Sequence, residues 1–306
     1  MKIICSTVIR AAEQGEIHGG LYVIDMDSEE ILYHTPYAED FVNDNERGGE
    51  RGLRGIAVLE DRIIVADSSG LMELDKDNFQ ITNRVQDDNL FKSIHEICVH
   101  NNNLYITSTA YDRIVVTNLD FNLLGVYEVI GEDGPDYKIL TGLKESDPLP
   151  PKIEDKYHIN SISSTGGRVV FSGLITHLYS FEDMQVVAPM PIVNDIKSFE
   201  HNFYEYEDLC LINLTTFGYL GILENRNHNW FSKYVNLPKC KNVKFSSDAI
   251  ASNNWNRGLA RKGDLVAIGS SPARIILYNI KTNKIEKEIQ LQEDVKHCIH
   301  GLEILE

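Results

Sequence analysis

Six short segments of the chain share one pattern, in which a cationic, imidazole or amide side chain opens a strand-like stretch. Each such residue precedes an apolar, strand-like run by about eight or nine residues, and for the last one that run is KIICST at the start of the chain. The six residues are Arg54, His95, Asn160, His201, Arg257 and His300. An internal repeat of this kind constrains the architecture before any other feature does.

Strand-like runs of four to seven residues, broken by turn signals, fill almost the whole chain, and helical periodicity is hard to find. The first full unit contains four such runs, RGIAVLE, RIIVADS, GLMELDK and FQITNRV. The last unit has a single run, HGLEILE, whereas the N-terminal runs KIICSTV, GGLYVID and EEILYHT lack a first one. The two chain ends together complete one four-stranded unit, which is the closure expected of a β-propeller.

The sequence therefore predicts an all-β fold, with a single six-bladed β-propeller domain over residues 1–306. Its blades begin at about residues 54, 95, 158, 201 and 257, and the last blade combines the strand at 300 with residues 1–35. Two connections, residues 36–53 and 129–156, are longer than a minimal blade needs. Both precede an innermost strand, so we expect them on the face where the repeated residues emerge, either as functional loops or as solvated acidic loops.

The innermost strand of each propeller blade lines the axial channel, with alternate residues facing inwards. The six repeated residues then form one tier, in which the histidines of the second, fourth and sixth blades meet around the axis. Two residues earlier on the same strands, a second tier adds His158 and Trp255. The same alternation points Glu96, Glu200 and Glu303 away from the channel, and we assign them no role.

The three histidines of the tier predict a metal site. Neutral imidazoles suit a divalent transition metal such as Fe, Zn, Mn or Cu, whereas Ca and Mg prefer oxygen ligands. We predict His95, His201 and His300 as ligands, with His158 as a fourth ligand or as an acid/base. Three protein ligands leave coordination positions open, as in catalytic rather than structural sites.

The two arginines of the tier predict an anionic partner for the site. Guanidinium groups bind carboxylates or phosphates through two hydrogen bonds, so Arg54 and Arg257 would hold a small anionic substrate. We predict catalytic roles for these two arginines and for His158, and further substrate contacts for Asn160 and Trp255. Without a metal, the same ring would be an anion-binding pocket.

These residues favour a metal-dependent enzyme that acts on a small anionic molecule. An all-imidazole site with open positions has room for both O₂ and substrate, which favours iron-dependent oxidative chemistry over a lyase or hydrolase reaction. Two alternatives stay open. A non-catalytic propeller could bind a protein or small ligand, with the histidines filling the channel, or His158 and the arginines could perform acid/base catalysis without a metal.

Composition disfavours two classes of partner. The formal net charge is −17, with 46 acidic against 29 basic residues, which disfavours binding to nucleic acid or to an anionic membrane surface. No run is long and apolar enough for a membrane span, and the N-terminus lacks the pattern of a signal peptide. Five cysteines without a CxxC spacing are typical of reduced thiols, so we expect a cytoplasmic protein.

The blade pattern resembles the six-bladed propellers that include strictosidine synthase, gluconolactonases and calcium-dependent phosphotriesterases. That resemblance covers nearly all of the chain and implies an axial metal held by Glu and several Asn or Asp residues, of which the ring has only Asn160. The segments YHINSIS and NRGLARKGDLVAIGSSPARI are similar to a group of bacterial propellers, which implies no particular reaction. Carotenoid-cleaving oxygenases, with four imidazoles around an axial iron, offer an analogy of ligand type alone.

Overall fold

The computed structural model describes residues 1–39, 51–130, 136–139, 155–175, 177–193, 196–197, 200–227, 229–244 and 251–305. The first strands in chain order are β1 Lys2–Ile9, β2 Gly19–Asp25, β3 Glu30–Tyr37, β4 Ile56–Val58, β5 Arg62–Ala66, β6 Gly70–Asp75, β7 Ile81–Gln86, β8 Ile94–His100, β9 Asn103–Ser108, β10 Arg113–Asn118, β11 Leu123–Ile130, β12 Asp136–Ile139 and β13 Ser161–Thr165. The remaining strands are β14 Arg168–Ser172, β15 His177–Ser180, β16 Val186–Pro189, β17 Ile192–Val193, β18 Ile196–Lys197, β19 Glu200–Tyr206, β20 Leu209–Leu214, β21 Tyr219–Arg226, β22 Asn229–Asn236, β23 Leu259–Lys262, β24 Leu265–Ser270, β25 Arg274–Asn279, β26 Lys284–Gln290 and β27 His297–Leu305. Two one-turn 3-10 helices cover Thr109–Tyr111 and Thr215–Phe217.

The strands form six small antiparallel sheets arranged in a ring. Blades one to five consist of β4–β7, β8–β12, β13–β16, β19–β22 and β23–β26, and blade six has the strand order β27-β1-β2-β3. The innermost strands β4, β8, β13, β19, β23 and β27 contact one another in a closed cycle. The predicted all-β, six-bladed propeller is therefore confirmed, and so is the architecture that the family resemblance implies.

Blade six joins the two ends of the chain. Strand β27 pairs antiparallel with β1, from Lys2 opposite Leu305 to Ile9 opposite His297. Two features lie outside the four-stranded pattern: β12 adds a fifth strand to blade two, and β17 pairs with β18 as a separate hairpin. Much of both long connections, residues 40–50, 131–135 and 140–154, lies outside the described residues, so their predicted roles stay predictions.

The hydrophobic core is divided into layers between neighbouring blades. The middle strands are buried on both faces, because each blade packs against two others, and β5 accordingly reads as the apolar run IIVA after Arg62. One layer between blades five and six contains Ile3, Ala267, Ile275 and Ile299. The outermost strands are largely exposed, as in β7. Among the described residues, no helix is long and apolar enough to cross a membrane.

A β-bulge interrupts the innermost strands of blades two, four and six at the position of the repeat, and the hydrogen bonds form the same arrangement at the entry to the innermost strands of blades one, three and five. Two consecutive residues there oppose a single residue of the neighbouring strand, and bulges of this kind change the direction of side chains. The six arrangements are Arg54–Gly55 opposite Ala66, His95–Glu96 opposite Thr107, Asn160–Ser161 opposite Ser172, His201–Asn202 opposite Asn213, Arg257–Gly258 opposite Gly269 and His300–Gly301 opposite Ser6. The bulges determine which side chains reach the axis.

Candidate functional site

Four imidazoles lie together at the axis. The ring centroid of His95 is 5.2 Å from that of His158, 5.2 Å from His300 and 5.8 Å from His201, and the His201 and His300 centroids are 6.1 Å apart. Metal–nitrogen bonds of about 2 Å at a tetrahedral angle place the centroids of coordinated imidazoles about 5 Å apart. The observed spacings range from that value upwards. Within the described ranges, no three His, Cys, Asp or Glu side chains already form a metal-binding set.

His201 presents a defined nitrogen to the channel. Its Nδ1 lies 2.9 Å from the Thr215 hydroxyl, and that hydroxyl donates its own proton to the Asn256 carbonyl at 2.8 Å. Nδ1 must therefore donate, which leaves Nε2 unprotonated. The Asn160 side-chain amide lies 3.4 Å from this Nε2, on the neighbouring blade. The Nδ1 hydrogen bond to Thr215 is of the kind by which proteins orient histidine ligands.

The other two ring histidines have buried nitrogens without hydrogen-bond partners. Both ring nitrogens of His300 and the Nδ1 of His95 have no partner among the described residues. The same is true of the side-chain oxygen Oδ1 of Asn160. His95 and His300 are 8% and 3% exposed, so the surrounding solvent does not replace the missing partners. Unpaired buried polar atoms are uncommon in native proteins and indicate that an ion, a water molecule or a ligand completes the site.

His158 approaches the cluster from the segment before β13. Its backbone has a left-handed conformation, with φ of 47°. The ring Nδ1 lies 3.0 Å from an Asp155 carboxylate oxygen, so the carboxylate orients the imidazole and leaves Nε2 as the second functional atom. The side chain is 31% exposed, which makes it the most accessible of the four. This geometry is compatible with either predicted role, a fourth ligand or an acid/base.

Burial keeps the three ring imidazoles in their neutral form. It lowers the pKa of His95, His201 and His300 well below 6.5, and neighbouring guanidinium groups lower it further. The next largest cause is Arg54 for His95 and Arg257 for the other two. Neutral imidazoles offer lone pairs to a metal at neutral pH, which protonated ones cannot.

The arginines of the tier differ in how they are held. Arg54 donates from Nη1 to the Ile94 carbonyl at 3.1 Å, which fixes it against the channel wall. Arg257 makes no ion pair with any carboxylate in the described part of the chain. Burial and the nearby charge of Arg10 lower the pKa of the Arg257 guanidinium. Arg257 is thus a half-buried cation without a carboxylate partner in the described part of the chain.

Arg10 is a further cationic residue of this site, and sequence reasoning missed it. Its guanidinium carbon lies 4.8 Å from the ring centroid of Trp255, the predicted aromatic wall. Arg10 follows β1, whose last residue pairs with the first residue of β27, so it lies at the end of the channel where the innermost strands enter. Trp255 and His158 belong to the entering segments of two other blades. We call this end, bordered by Arg10, His158 and Trp255, the ring mouth.

The predicted orientation of Glu96 and Glu303 away from the channel is wrong. The Glu96 carboxylate accepts a hydrogen bond from the Asn202 side-chain amide, and Asn202 in turn accepts one from the Gly258 N–H at 2.7 Å. This Glu96–Asn202 bridge connects blades two, four and five across the axis. The physical reason is the bulge, which turns Glu96 inwards directly after His95 and shifts the alternation of the residues that follow His300 by one position, so that Glu303 also faces the channel.

A cavity of about 230 Å³ lies beyond the bridge, at the opposite end from the ring mouth. Residues that follow the tier on all six blades line it, among them Glu96, Cys98, Tyr204 and Glu303. Burial raises the pKa of Glu303 to about 8. Burial, and then the charge of Glu303, raise the pKa of Glu96 well above 4.5. The channel is therefore cationic at one end and acidic at the other.

A larger cavity of about 440 Å³ lies off the axis and is lined by residues of blades six, one and two. Its polar groups already pair with one another. His18 accepts a hydrogen bond from the Gly52 N–H at 2.8 Å and contacts the Glu39 carbonyl at 2.6 Å, and Tyr37 donates to Asp67 at 2.7 Å. This cavity thus offers fewer unsatisfied groups to a ligand than the axial ring does.

No family model and no curated protein matches the chain. In structure it is similar to a chain of the nidogen/laminin complex, with 9% identity and a TM-score of 0.59 over 99% of this chain and 98% of that one. It is also similar to AztD from Citrobacter koseri, with 8% identity and a TM-score of 0.53 over 99% and 97% of the two chains. The computationally designed Ika8 protein gives 10% identity and a TM-score of 0.51 over 99% and 91%. At such low identity these similarities establish the propeller fold alone.

Proposed function

We propose that the axial tier is the transition-metal centre of an enzyme that acts on a small anionic molecule. The observation that carries the proposal is the convergence of His95, His201 and His300, whose buried nitrogens include several without a hydrogen-bond partner in the described part of the chain. A bound Fe, Zn, Mn or Cu ion would satisfy these nitrogens and use their neutral form.

Each imidazole would contribute a specific atom. His201 would bind through Nε2, in place of its 3.4 Å contact with the Asn160 amide, because Nδ1 donates to Thr215. His300 has both nitrogens available, and His95 has Nδ1. His158 would bind through Nε2 as a fourth ligand or exchange a proton there with the substrate, with Asp155 holding the ring in place.

Arginines beside a metal ion require an anion. A divalent cation next to Arg54 and Arg257 would be repelled unless a negative group lay between the charges. A carboxylate or phosphate bound by both guanidinium groups would meet that requirement, with Asn160 and Trp255 as further contacts. The anionic substrate would then be held with its reacting part at the open positions of the metal.

The proposed ligand set is compatible with more than one class of reaction. An all-imidazole centre with open positions favours iron-dependent oxidation of the substrate, and a Lewis-acid lyase or hydrolase is the alternative. Exposure of the anaerobically iron-loaded protein to O₂ separates them. Oxygen consumption that depends on an added substrate supports the oxidative reaction, and product formation without oxygen supports the other.

Metal analysis of the protein, purified without a histidine tag, tests the site. We expect about one equivalent of a transition metal in the wild type and less than about a tenth of that in a His95→Ala/His201→Ala/His300→Ala variant. The matched control is His100→Ala, on the same strand as His95, where the imidazole contacts the Ser164 hydroxyl instead of the axis. Metal-free wild type, or equal metal in the triple variant, would refute the metal centre.

A second candidate function is metal-free binding of an anion, with or without acid/base catalysis by His158. It is favoured by the imidazole spacings, which in part exceed those of coordinated rings. This function predicts ligand binding that survives chelation and falls when the arginines of the ring are replaced. It also predicts that any activity survives chelation but is lost on replacement of His158 by Ala.

A further inference from the structure

We infer that the ligand of the ring mouth carries at least two negative charges, and that Arg10 binds the second of them. The inference deepens the proposed function, since it rests on an anionic ligand at the axis, but it does not require a metal. It concerns which anion fits and which residue selects it.

The first argument is the pairing of arginines elsewhere on the propeller. Six arginines away from the ring mouth have carboxylate partners, whereas the guanidinium of Arg261 lies over the Tyr206 ring and donates to the Gly263 carbonyl; the six are Arg62, Arg84, Arg113, Arg168, Arg226 and Arg274. In contrast, neither Arg10 nor Arg257 makes an ion pair with a carboxylate in the described residues, although the chain has 46 acidic side chains. Two cations at one end of the channel that have no carboxylate partner among the described residues form a site for an external anion.

The second argument is that Arg10 is held in place by contacts that leave its charge uncompensated. Its backbone N–H donates to the Lys296 carbonyl at 2.9 Å, and its guanidinium lies over the Trp255 ring. The backbone of Trp255 is itself fixed, because its main-chain N–H donates to the Ser271 hydroxyl at 3.1 Å. Stacking on an indole uses the face of a guanidinium, so the hydrogen-bond donors at its edge remain for a ligand. The Nε of Arg10 has no partner among the described groups.

The third argument is the number of charges that surround one ligand. Arg257 and Arg10 come from two blades, and a monoanion would neutralise only one of these two cations. Arg10 lies over Trp255, which is two residues before Arg257 in the same blade, so the two guanidinium groups border the same end of the channel. A dicarboxylate or a phosphate group compensates more of this charge than a simple carboxylate does. We therefore expect discrimination between dianions and monoanions.

Calorimetric titration of the full chain with acetate, succinate and inorganic phosphate, at constant ionic strength, tests the inference. We expect at least one of the two dianions to bind about tenfold or more tightly than acetate, both before and after removal of metal by a chelator. Preference for phosphate identifies a single doubly charged group, and preference for succinate identifies two carboxylates. Equal affinity for acetate and both dianions would overturn the inference.

Variants of Arg10 test whether this residue causes the preference for dianions over acetate. In Arg10→Gln we expect the ratio of dianion to acetate affinity to fall to about threefold or less, because the affinity for the dianion falls more than the affinity for acetate does. Arg10→Lys retains the charge without the planar fork, so an intermediate ratio is expected. The matched control is Arg226→Gln, which removes the same charge from an exposed pair with Glu224. An unchanged ratio in both Arg10 variants overturns the role of Arg10.

The outcome for the metal is independent. A protein that binds no metal but prefers dianions refutes the metal centre and supports the inference. A protein that binds a full equivalent of metal but does not prefer dianions supports the metal centre and refutes the inference. Circular dichroism of each variant confirms that it is folded before its affinities are compared.

Discussion

At the level of single side chains, Thr215 controls which nitrogen of His201 faces the channel. Its hydroxyl donates to the Asn256 carbonyl and accepts from His201 Nδ1, so one hydrogen-bond chain connects the wall of blade five to the imidazole of blade four. Blade two has an equivalent hydrogen bond from Thr109 to the Ile159 carbonyl at 2.6 Å, but no histidine is attached to it. The same structural hydrogen bond thus has an additional use in blade four.

Thr215→Val tests this use of the hydroxyl. Valine has nearly the same shape but cannot fix the tautomer, so we expect metal affinity to fall by about 10- to 100-fold. Competition with a chromophoric chelator measures the affinity. The control is Thr109→Val, which removes the equivalent inter-blade hydrogen bond without contact to an imidazole. Equal losses in the two variants would mean that Thr215 acts on stability rather than on His201.

Glu303 provides a test of the acidic end of the channel. Its pKa is about 8 in the folded protein, against an ordinary value of 4.5, so the folded state holds a proton that the unfolded chain releases between these values. The stabilising contribution of Glu303 is therefore complete at acid pH and is lost as the pH rises from 4.5 through 8.

Replacement of Glu303 by Gln removes this dependence. Between pH 5 and pH 8.5 we expect the free energy of unfolding of Glu303→Gln to rise relative to wild type by at least about 1 kcal/mol. Urea denaturation at several pH values, in metal-free protein, measures the difference. Glu286→Gln, on the exposed face of β26, controls for the loss of one negative charge. A difference that is constant over this range contradicts a raised pKa at Glu303.

At the level of secondary structure, the bulge at the repeat position determines which side chains of each blade form the axial site. It brings two residues per blade towards the axis, and the second residue differs between blades. Glycine follows Arg54, Arg257 and His300, and a Cβ at Gly55 would lie 2.6 Å from the Ile97 backbone nitrogen. Close approach of neighbouring blades therefore requires glycine there. In blades two and four, Glu96 and Asn202 occupy this position and bridge the channel instead.

Asn202 combines the bridge with a left-handed backbone, at a φ of 56°. Both Asn202→Gly and Asn202→Ala lose the hydrogen bonds to Glu96 and Gly258. Only alanine adds the steric cost of the left-handed conformation, about 1 kcal/mol, so we expect the alanine variant to be less stable by that amount. The difference in free energy of unfolding from urea titrations measures it. Equal stabilities would contradict a left-handed bulge residue.

The bulge also explains which parts of the site the sequence could predict. Ring residues such as His95 and His201 are visible because a polar side chain recurs at one position of an apolar strand pattern. Glu96 and Asn202 are not visible, since period-two alternation assigns a neighbouring residue to the opposite face. Arg10 follows β1, whereas the repeat position of its blade is His300 in β27. The repeat pattern along the sequence therefore does not predict that Arg10 lies near the ring. Its approach to Trp255 depends on how the two chain ends pair.

At the level of the whole molecule, closure of the ring depends on the blade that both ends of the chain build. The pairing of β27 with β1 holds blade six together and places His300 in the tier. Lys2 lies opposite Leu305, so a short turn can join the two ends without moving either strand. A circular permutant has its original ends joined in this way and new chain ends at another position. The stability of permutants with different new ends tests which interactions close the ring.

We compare two permutants that have the same joined ends but differ in whether the two new chain ends belong to the same blade. Opening at the exposed turn between Lys281 and Thr282 leaves β25 and β26 on different chain ends, so blade five is again completed by both ends. Opening between Asp88 and Asn89 separates blade one from blade two, and no sheet then contains both ends. Packing and a few backbone hydrogen bonds, such as Ile94 N–H to the Ser68 carbonyl at 2.9 Å, must close that ring.

We expect the permutant opened within blade five to melt close to the wild type. The one opened between blades should lose about 2 kcal/mol, or roughly 3 °C in Tm, because strand pairing contributes more to closure than inter-blade contacts do. Differential scanning calorimetry of the metal-free proteins measures both midpoints. If the two permutants melt together, packing between blades is sufficient to close the ring. Blade six would then be needed for the position of His300 rather than for closure.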